Sequence, residues 1–241
     1  MSYIWHTIFF DPVYNLLVFF IDIFPRGDVG LAIIAAVVVV KIILLPLSIK
    51  AVKTQKLMRE INPELKAIKE KYKNDQKSQA EAMLALYRDK KMNPLSSIVV
   101  MFIQIPFIIA LYFAVIRGGG IPLPEINTAI LYSFTAIPTE VSMLFLNSLD
   151  ITLRSLPLAL LAGVVQFFST RMTMPTLPPK DPLAAPNFKD DFSRNMQVQM
   201  RYVMPGVIFA VCYTLSAAFA LYIIVSNLVT MAQEVFVRKH R

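Results

Sequence analysis

One lysine stands inside an apolar run, where a charge is costly. Lys41 lies in "VVVVKIILLPL", residues 37–47, between four valines and two isoleucines. An unpaired lysine at the centre of a membrane helix costs about 2.5 to 3.5 kcal/mol on insertion scales. Three environments can reduce that cost: the side chain can extend to the membrane surface, lose its proton, or face a water-filled cavity.

The distance to the membrane surface favours the cavity. Lys50 marks the polar boundary, about 13 Å along a helix from Lys41, whereas a lysine side chain reaches about 6 Å. Pro46 can end the helix early and shorten that gap. The sequence therefore predicts that Lys41 faces a hydrated groove open to the cytoplasm, with extension to the surface and deprotonation as alternatives.

No pattern of catalytic or metal-binding side chains accompanies this lysine. The two histidines, His6 and His240, lie at opposite ends, and the sequence contains neither an H-E-x-x-H pair nor a G-x-S-x-G motif. The single cysteine, Cys212, excludes an internal disulfide. All 16 carboxylates lie outside the long apolar runs, which argues against a proton-coupled transporter. We expect no enzyme, no cofactor and no metal site.

Long apolar runs make the chain a candidate membrane protein. It is 56% hydrophobic, above the soluble norm of about 45–50%, and its four runs cover residues 29–49, 95–116, 155–170 and 202–233. About 20 apolar residues cross the hydrocarbon core. The last run would extend about 48 Å as a helix, so it must cross twice. Its turn is predicted near "TLSAAF", residues 214–219.

The basic residues predict the orientation. Of the 24 Lys and Arg residues, 12 lie in 50–93, five in 171–201 and three in 238–241, whereas 118–153 contains none. Basic loops stay on the cytoplasmic side. These counts predict five spans, an outside N-terminus and a cytoplasmic C-terminus.

The N-terminal stretch is predicted to lie on the membrane rather than across it. Residues 11–27 are apolar over about 14 positions and are interrupted by Asp22, which is short for a span. A sixth, poorly formed span is the alternative, and it would place the N-terminus inside. The first ten residues, "MSYIWHTIFF", lack a basic region and a cleavage site, so we expect no secretory signal.

Residues 50–93 are predicted to form a cytoplasmic helical hairpin. Apolar residues recur at helical spacing on either side of "KND", a turn signal at 73–75. The two stripes are Leu57, Ile61, Leu65, Ile68 and Tyr72, then Ala80, Met83, Leu84 and Tyr87. This basic hairpin is either a docking surface for anionic lipid or RNA, or a solvated loop. The proline-rich residues 171–201 are predicted to be irregular and to carry no chemistry.

Polar residues in the other spans could line the groove with Lys41. Those in the predicted site are Lys41, Gln104, Gln166, Ser169 and Asn227, with Thr170 and Thr230 beside them. Residues spaced i, i+3 and i+4 share one helical face. A single polar residue of this kind is typical of hydrogen bonding between helices. Because four spans each contribute polar residues, the pattern favours a common groove.

Three segments resemble the YidC and Oxa-type membrane protein insertase family. "MNPLSSIVVMFIQIPFIIALYFAV", residues 92–115, is similar to the N-P-L…Q-x-P-x-F-x-A-L-Y signature of that family. "GLAIIAAVVVVKIILLPL" resembles its first core span, and "ALYIIVSNLVTMAQ" resembles its last. The order of spans and loops is similar to that of the family from about residue 10 onward, so only the first residues of the chain are unmatched.

The resemblance implies a function and a role for Lys41. A family member inserts membrane proteins into the bacterial plasma membrane and helps them to fold, alone or beside the Sec translocon. The resemblance also implies nascent membrane proteins and the lipid bilayer as partners, with the signal recognition particle pathway and the ribosome, and no specific nucleic acid. In the family a positive residue, usually Arg, lies in a groove open to the cytoplasm, and Lys41 falls at its position.

Other positions depart from the family pattern. Val100 stands where relatives often have Pro, Ser169 where many have Gln, and Ile223 where some have an aromatic residue. We expect neither the lipoprotein signal nor the large periplasmic domain of some relatives, and no ribosome binding through the short tail "RKHR". Arg keeps its charge in any protein environment, whereas a desolvated Lys can lose its proton. Lys41 therefore keeps the role only in a wet groove.

The predicted fold is an all-α polytopic membrane protein with five transmembrane helices around a cytoplasm-open hydrophilic groove. The predicted segments are an interfacial helix at 1–28, spans at 29–49, 94–117, 154–171, 201–215 and 216–236, the hairpin at 50–93, the outer loop at 118–153, the cytoplasmic loop at 172–200 and the tail at 237–241. The predicted mechanism is electrostatic attraction of an acidic substrate terminus to Lys41. The alternatives are a transporter that uses Lys41 as an anion site and a non-catalytic assembly subunit.

Overall fold

The computed structural model describes residues 2–93, 96–173, 195–196 and 198–239. The α-helices, numbered in chain order, are α1 Ser2–Trp5, α2 Asp11–Ile23, α3 Val29–Ile43, α4 Leu45–Glu60, α5 Asn62–Lys71, α6 Gln76–Asp89, α7 Ser96–Ile116, α8 Leu156–Thr173, α9 Met204–Thr214 and α10 Ala217–Lys239. Two π-helical turns, His6–Phe10 and Gln199–Val203, precede α2 and α9. The strands β1 Leu144–Phe145 and β2 Leu149–Asp150 form a small antiparallel hairpin.

This architecture confirms the predicted all-α membrane fold. Among the residues that the structure describes, three helices can cross a membrane by length and composition: Tyr3–Ile23, Leu156–Thr173 and Ala217–Val237. The pair Val29–Ile43 and Leu45–Met58 makes a fourth if it is counted as one bent span. Phe102–Ile116 is a shorter apolar helix. Most of the predicted cytoplasmic loop at 172–200, and the end of the basic tail, lie outside the described residues.

The N-terminal helix lies within the predicted interfacial segment 1–28, and it is longer than the apolar stretch of about 14 residues counted there. The helical residues run without interruption from Ser2 to Ile23, because the π-helical turn joins α1 to α2. The estimate of about 14 apolar residues, too few for a span, was therefore wrong about length. Whether this helix lies on the membrane or crosses it stays a prediction.

A sharp bend divides the predicted first span. The axes of Val29–Ile43 and Leu45–Met58 differ by 63°. The cause is Pro46, which has no N–H to donate to the Ile42 carbonyl and whose ring collides with that carbonyl in a straight helix. The Leu44 N–H closes α3 by donating to the Val40 carbonyl at 3.0 Å. Beyond the bend, α4 leads directly into the hairpin.

Small residues allow the helices to pack closely. Helix α8 packs against α9 and α10, and α10 also packs against α3. At Gly163 a Cβ atom would lie 3.1 Å from the Phe209 Cβ and 3.3 Å from the Pro205 carbonyl oxygen. Ala159 and Ala162 on the same helix are fully buried. Small side chains at contacts of this kind let membrane helices approach one another.

Residues 118–153 fold over one end of the helices, called the loop end below, and bind the N-terminal helix there. The Asn127 N–H donates to the Tyr14 hydroxyl at 2.8 Å. The Asn15 side chain donates to the Ile130 carbonyl at 2.9 Å and accepts from the Tyr132 N–H at 2.7 Å. The middle of α2 is thus tied to the loop by three hydrogen bonds.

Gly27 and Asp28 join the start of α3 to the same loop. Gly27 has φ +62, and a Cβ atom there would lie 1.9 Å from the Glu140 carbonyl oxygen, so only glycine fits. The Asp28 carboxylate caps α3 by accepting from the Leu31 N–H at 3.0 Å. Its other oxygen accepts from the Leu146 N–H at 2.8 Å.

Helices α9 and α10 also meet at the loop end. Helix α9 ends at Thr214 and α10 begins at Ala217, within the stretch "TLSAAF" where the sequence predicts a turn. The N–H groups of Ala217 and Ala218 donate to the carbonyls of Leu153 and Ile151 at 2.7 and 2.9 Å. The loop therefore satisfies backbone donors in the first turn of α10.

Helices α5 and α6 form a helical hairpin. It follows α4 at the end of the helices opposite the loop end, and this end is called the hairpin end below. The turn between them ends at Asp75, whose carboxylate accepts from the Ser78 hydroxyl and from two backbone N–H groups. The Ser78 hydrogen bonds lower the pKa of Asp75, because they stabilise its ionised carboxylate. Lys90 pairs with Glu64 across the hairpin at 3.2 Å. Ile61 and Leu65 of the predicted stripe are buried.

We expect Asp28→Ala to destabilise the loop end. The substitution removes the cap of α3 and leaves the Leu146 N–H without its acceptor, at a cost of about 1–3 kcal/mol. Thermal unfolding in detergent measures the effect, and Asp22→Ala, at an exposed carboxylate of α2, is the control. Equal unfolding temperatures for the two variants would contradict this role of Asp28.

Candidate functional site: a polar face on the last helix

Lys41 lies within the last turn of α3, and its side chain turns inward. The residue is 8% exposed, and its Nζ donates a hydrogen bond to the Thr230 Oγ1 of α10 at 3.1 Å. The Thr230 hydroxyl in turn donates to the Ser226 carbonyl at 2.8 Å. The ammonium therefore contacts a neutral acceptor on the neighbouring helix rather than extending outward along α4.

The charge of Lys41 is incompletely matched by the protein. An ammonium has three N–H donors, and Thr230 accepts from one of them. Within the described residues, no carboxylate lies at salt-bridge distance from Lys41. The other two donors have no acceptor among the described residues, so they can bind water or an anionic group that enters from outside the chain.

Three carboxylates lie inside candidate spans, although the sequence led us to expect none there. Glu234 falls within Ala217–Val237 and is 5% exposed. The uncharged run 202–233 ends one position before this glutamate, whereas the predicted last span, 216–236, includes it. The helix continues to Lys239. Asp11 and Asp22 likewise lie within the candidate span Tyr3–Ile23.

A cleft lies beside Lys41 on the same face of α3. The space between its walls is about 270 Å³, a figure that includes the solvent at its open side. Helices α2, α3, α7 and α10 contribute to its lining, which includes Val13, Ala36, Val37, Val40, Gln104 and Tyr222. Lys41 is not among the lining residues. It follows Val37 by one helical turn, and residues spaced i and i+4 are neighbours on one face.

The lining of this cleft is more apolar than the predicted groove. Gln104 and Tyr222 supply the polar atoms, and the Gln104 side-chain amide donates to the Tyr222 hydroxyl. Valine and alanine side chains of α3 form the facing wall. Val13 of α2 lines the cleft as well, so the N-terminal helix contributes to its enclosure.

Gln166 and Asn227 form a second polar contact with α10. The Asn227 side-chain amide donates to the Gln166 Oε1 at 2.8 Å, and the Gln166 amide donates to the Thr170 hydroxyl at 3.1 Å. Ser169 is buried on α8, and the hydrogen bond recorded there is from the Thr173 hydroxyl to the Ser169 backbone carbonyl. Ser169 therefore does not join the other predicted site residues.

Helix α10 links the separate polar groups. It bonds to Gln104 of α7 through Tyr222, to Gln166 of α8 through Asn227, and to Lys41 of α3 through Thr230. Tyr222 and Gln233 were not among the predicted site residues, although Tyr222, Ser226, Thr230 and Gln233 recur at i, i+4, i+8 and i+11. That spacing puts them on one face and was the available signal.

Among the described residues, no cluster of three or more His, Cys, Asp and Glu side chains could hold a metal ion. The polar groups gathered on α10 are amides and hydroxyls, with one ammonium. Such groups bind and orient other polar groups through hydrogen bonds. The arrangement fits recognition of a polar or anionic segment.

Comparison with known proteins places the chain among membrane proteins. The family described as 60Kd inner membrane protein matches residues 20–241. The protein named Membrane protein insertase YidC from Oceanobacillus iheyensis is 32% identical over 241 residues, covering 98% of this chain and 84% of the relative. The Fusobacterium nucleatum protein of that name is 30% identical, covering 94% and 97%.

A longer relative matches over part of its length. The Membrane protein insertase YidC of Pelobacter propionicus is 30% identical over 235 residues, which is 98% of this chain but 39% of the relative. The similarity to all three proteins therefore extends over nearly the whole of this chain.

We predict an energetic coupling between Gln166 and Asn227. A double-mutant cycle with Gln166→Ala and Asn227→Ala should give a coupling free energy of about 0.6 to 1.7 kcal/mol, the range measured for hydrogen bonds between membrane helices. Reversible unfolding in mixed micelles provides the four free energies. The pair Gln104→Ala and Asn227→Ala, which share no hydrogen bond, should be additive within about 0.5 kcal/mol.

Proposed function

The chain belongs to the YidC and Oxa-type family, described as 60Kd inner membrane proteins, and on this premise we propose that it inserts other membrane proteins into the bacterial plasma membrane and helps them to fold. The apolar helices and the relatives make it a multi-pass bacterial membrane protein. The observation that carries the proposed mechanism is the buried ammonium of Lys41, which is bonded to a hydroxyl and to no described carboxylate.

Five spans are proposed for the membrane domain. They are α3 with the start of α4, then α7, α8, α9 and α10. Residues 118–153 contact the starts of both α3 and α10. These contacts support an arrangement in which the two helices begin at the same depth in the membrane. The basic hairpin lies beyond the opposite level, which supports a cytoplasmic hairpin end and an outer loop end.

The N-terminal helix is proposed to lie at the outer surface. Tyr14 and Asn15 in its middle bond to the loop end, and its last residues connect to the start of α3 through Gly27 and Asp28. Because both its middle and its last residues are attached at the loop end, the helix would run along the membrane surface there rather than across the bundle. Through Val13 it would close the outer end of the cleft.

The groove is proposed to open at the hairpin end. A polar substrate segment arriving from the cytoplasm would meet Lys41 first, because Val37 and Val40 lie nearer the loop end along α3. Gln104 and Tyr222 lie in the cleft and offer hydrogen bonds to a segment that has entered it. An acidic terminus is attracted to the ammonium more strongly than a neutral one because their charges are opposite. The low dielectric constant of the bundle strengthens this Coulomb attraction.

The step needs no nucleotide in this scheme. As the polar terminus is held, the apolar helix of the substrate moves from water into lipid, which releases roughly 25 cal/mol per Å² of apolar surface. The basic hairpin would contact the substrate or a targeting partner before that step. Cooperation with the Sec translocon, the signal recognition particle pathway or the ribosome is part of the proposal.

We predict that the charge at position 41 determines the insertion of acidic-tailed substrates. In liposomes that contain the purified protein, Lys41→Arg should preserve insertion of a short single-span substrate, whereas Lys41→Ala and Lys41→Glu should impair it by about tenfold or more, because a charge-assisted hydrogen bond is lost. Lys50→Glu, an equal charge change at an exposed residue, is the matched control. Undiminished insertion by Lys41→Glu would contradict the mechanism.

The same reconstitution separates the alternatives. A transporter with Lys41 as its anion site would move a small solute across the liposome membrane without a protein substrate. An assembly subunit would show no insertion when it is the only protein present. Insertion without solute flux supports the proposed function.

We also predict that water reaches the cleft from the hairpin end. In a Cys212→Ala background, a cysteine at Val40, which lines the cleft, should react with a charged, membrane-impermeant maleimide faster than a cysteine at Ile42. Ile42 is 58% exposed on the outside of the bundle and faces lipid in the proposed topology. The reaction should require the reagent on the cytoplasmic side. Equal rates for the two positions would argue for a dry cleft.

A further inference from the structure

Helix α10 holds Lys41 at two points, its backbone carbonyl and its ammonium. We propose that Thr230 and Gln233 are positioning residues that fix where the charge of Lys41 lies and keep it available to a carboxylate of the substrate. The inference rests on the proposed function of Lys41 in insertion. It assigns that function to a pair of residues on the last helix as well as to the lysine itself.

The first point of attachment follows from the bend in the chain. In an unbroken helix the Lys41 carbonyl would accept from the Leu45 N–H. At the bend, the backbone hydrogen bonds of the described residues do not include one from the Leu45 N–H to the Lys41 carbonyl. The Gln233 side-chain amide donates to this carbonyl instead, at 3.5 Å. Gln233 therefore supplies a donor, through a long hydrogen bond, at the place where Pro46 interrupts the helix.

The second point is the hydrogen bond from the Lys41 Nζ to the Thr230 Oγ1 at 3.1 Å. Thr230 and Gln233 are spaced i and i+3, so they project from one face of α10. The proton of the Thr230 hydroxyl is directed to the Ser226 carbonyl, which leaves an oxygen lone pair for the ammonium. The orientation of this hydroxyl is thus set by its own helix.

A hydroxyl suits this place better than a carboxylate would. An ionised partner would neutralise Lys41 and compete with an acidic substrate, whereas a neutral acceptor leaves the net charge in place. Hydrogen bonds between ionised partners are roughly twice as strong as neutral ones. A substrate carboxylate can therefore replace Thr230 as the acceptor of the ammonium, while Gln233 continues to hold the backbone of Lys41.

Insertion by Thr230 variants tests the inference. Thr230→Val keeps the shape of the side chain but removes the acceptor, and should lower insertion of the acidic-tailed substrate about fivefold. Thr230→Ser retains the hydroxyl and should restore most of the insertion. Thr214→Val is the matched control, because the Thr214 hydroxyl also donates to a backbone carbonyl of its own helix, that of Val211, on a different helix from the site.

A double-mutant cycle separates positioning from a general effect on packing. In a Lys41→Met background Thr230→Val should cause no further loss, because no ammonium is left to hold. An equal loss with and without Lys41 would overturn the inference, since Thr230 would then act independently of the charge.

A chemical measurement tests whether Thr230 positions the Lys41 ammonium, and it does not need an insertion assay. Reductive dimethylation of the Lys41 amine, followed by peptide mass spectrometry, should proceed about fivefold faster in Thr230→Val than in the parent, because the loss of a charge-assisted hydrogen bond frees the amine. Thr230→Ser should react at nearly the parent rate. An unchanged rate in Thr230→Val overturns the positioning role.

The two measurements distinguish the inference from the function on which it rests. If Lys41→Met inserts the substrate as well as the parent does, the proposed role of Lys41 fails. A faster dimethylation of Thr230→Val would in that case still support the contact as the determinant of the lysine's position.

Discussion

The charge of Lys41 has to be stabilised inside a bundle of apolar helices, and the arrangement of the bundle around it reflects that constraint. The stabilising group is a hydroxyl, which is a weak partner for an ammonium compared with a carboxylate. Helix α10 supplies this hydroxyl, and the same helix bonds to Gln104 and Gln166 on two other helices. The position of α10 therefore determines the environment of the lysine and of the cleft together.

The two ends of the bundle are built differently. At the loop end, Asn15, Asp28 and Asn127 use most of their side-chain hydrogen-bonding atoms to bind backbone groups. Such networks hold chain segments in one arrangement. At the hairpin end, Lys41 has two N–H donors with no acceptor among the described residues, and the adjoining helices α5 and α6 contact mainly each other and α4. The loop end is thus held by more hydrogen bonds, although the Thr135 and Ser216 hydroxyls there are buried without a partner among the described residues.

The sequence predicted the features that depend on local pattern. The turn between α9 and α10 followed from a run too long for one span, and the stripe with Ile61 and Leu65 followed from helical spacing. The family followed from short motifs around Gln104. Other features depend on tertiary contacts. No local pattern specifies that Gln104 bonds to Tyr222 or that Lys41 bonds to Thr230. The burial of Glu234, inside the predicted span 216–236, likewise depends on tertiary contacts, and the angle of the bend at Leu44 is not encoded by Pro46 alone.

The bend has a consequence for the lipid around the molecule. Helix α3 contains 15 residues, about 22 Å, and the chain bends by 63° before the start of α4 that completes the proposed span, whereas the hydrocarbon core of a bilayer is about 30 Å thick. A short hydrophobic wall is accommodated by local compression of the bilayer, at a modest free-energy cost per ångström of mismatch. Headgroups and their hydration would then approach Lys41 from the side, so a polar chain beside α3 would cross a narrower apolar layer than it would elsewhere in the membrane.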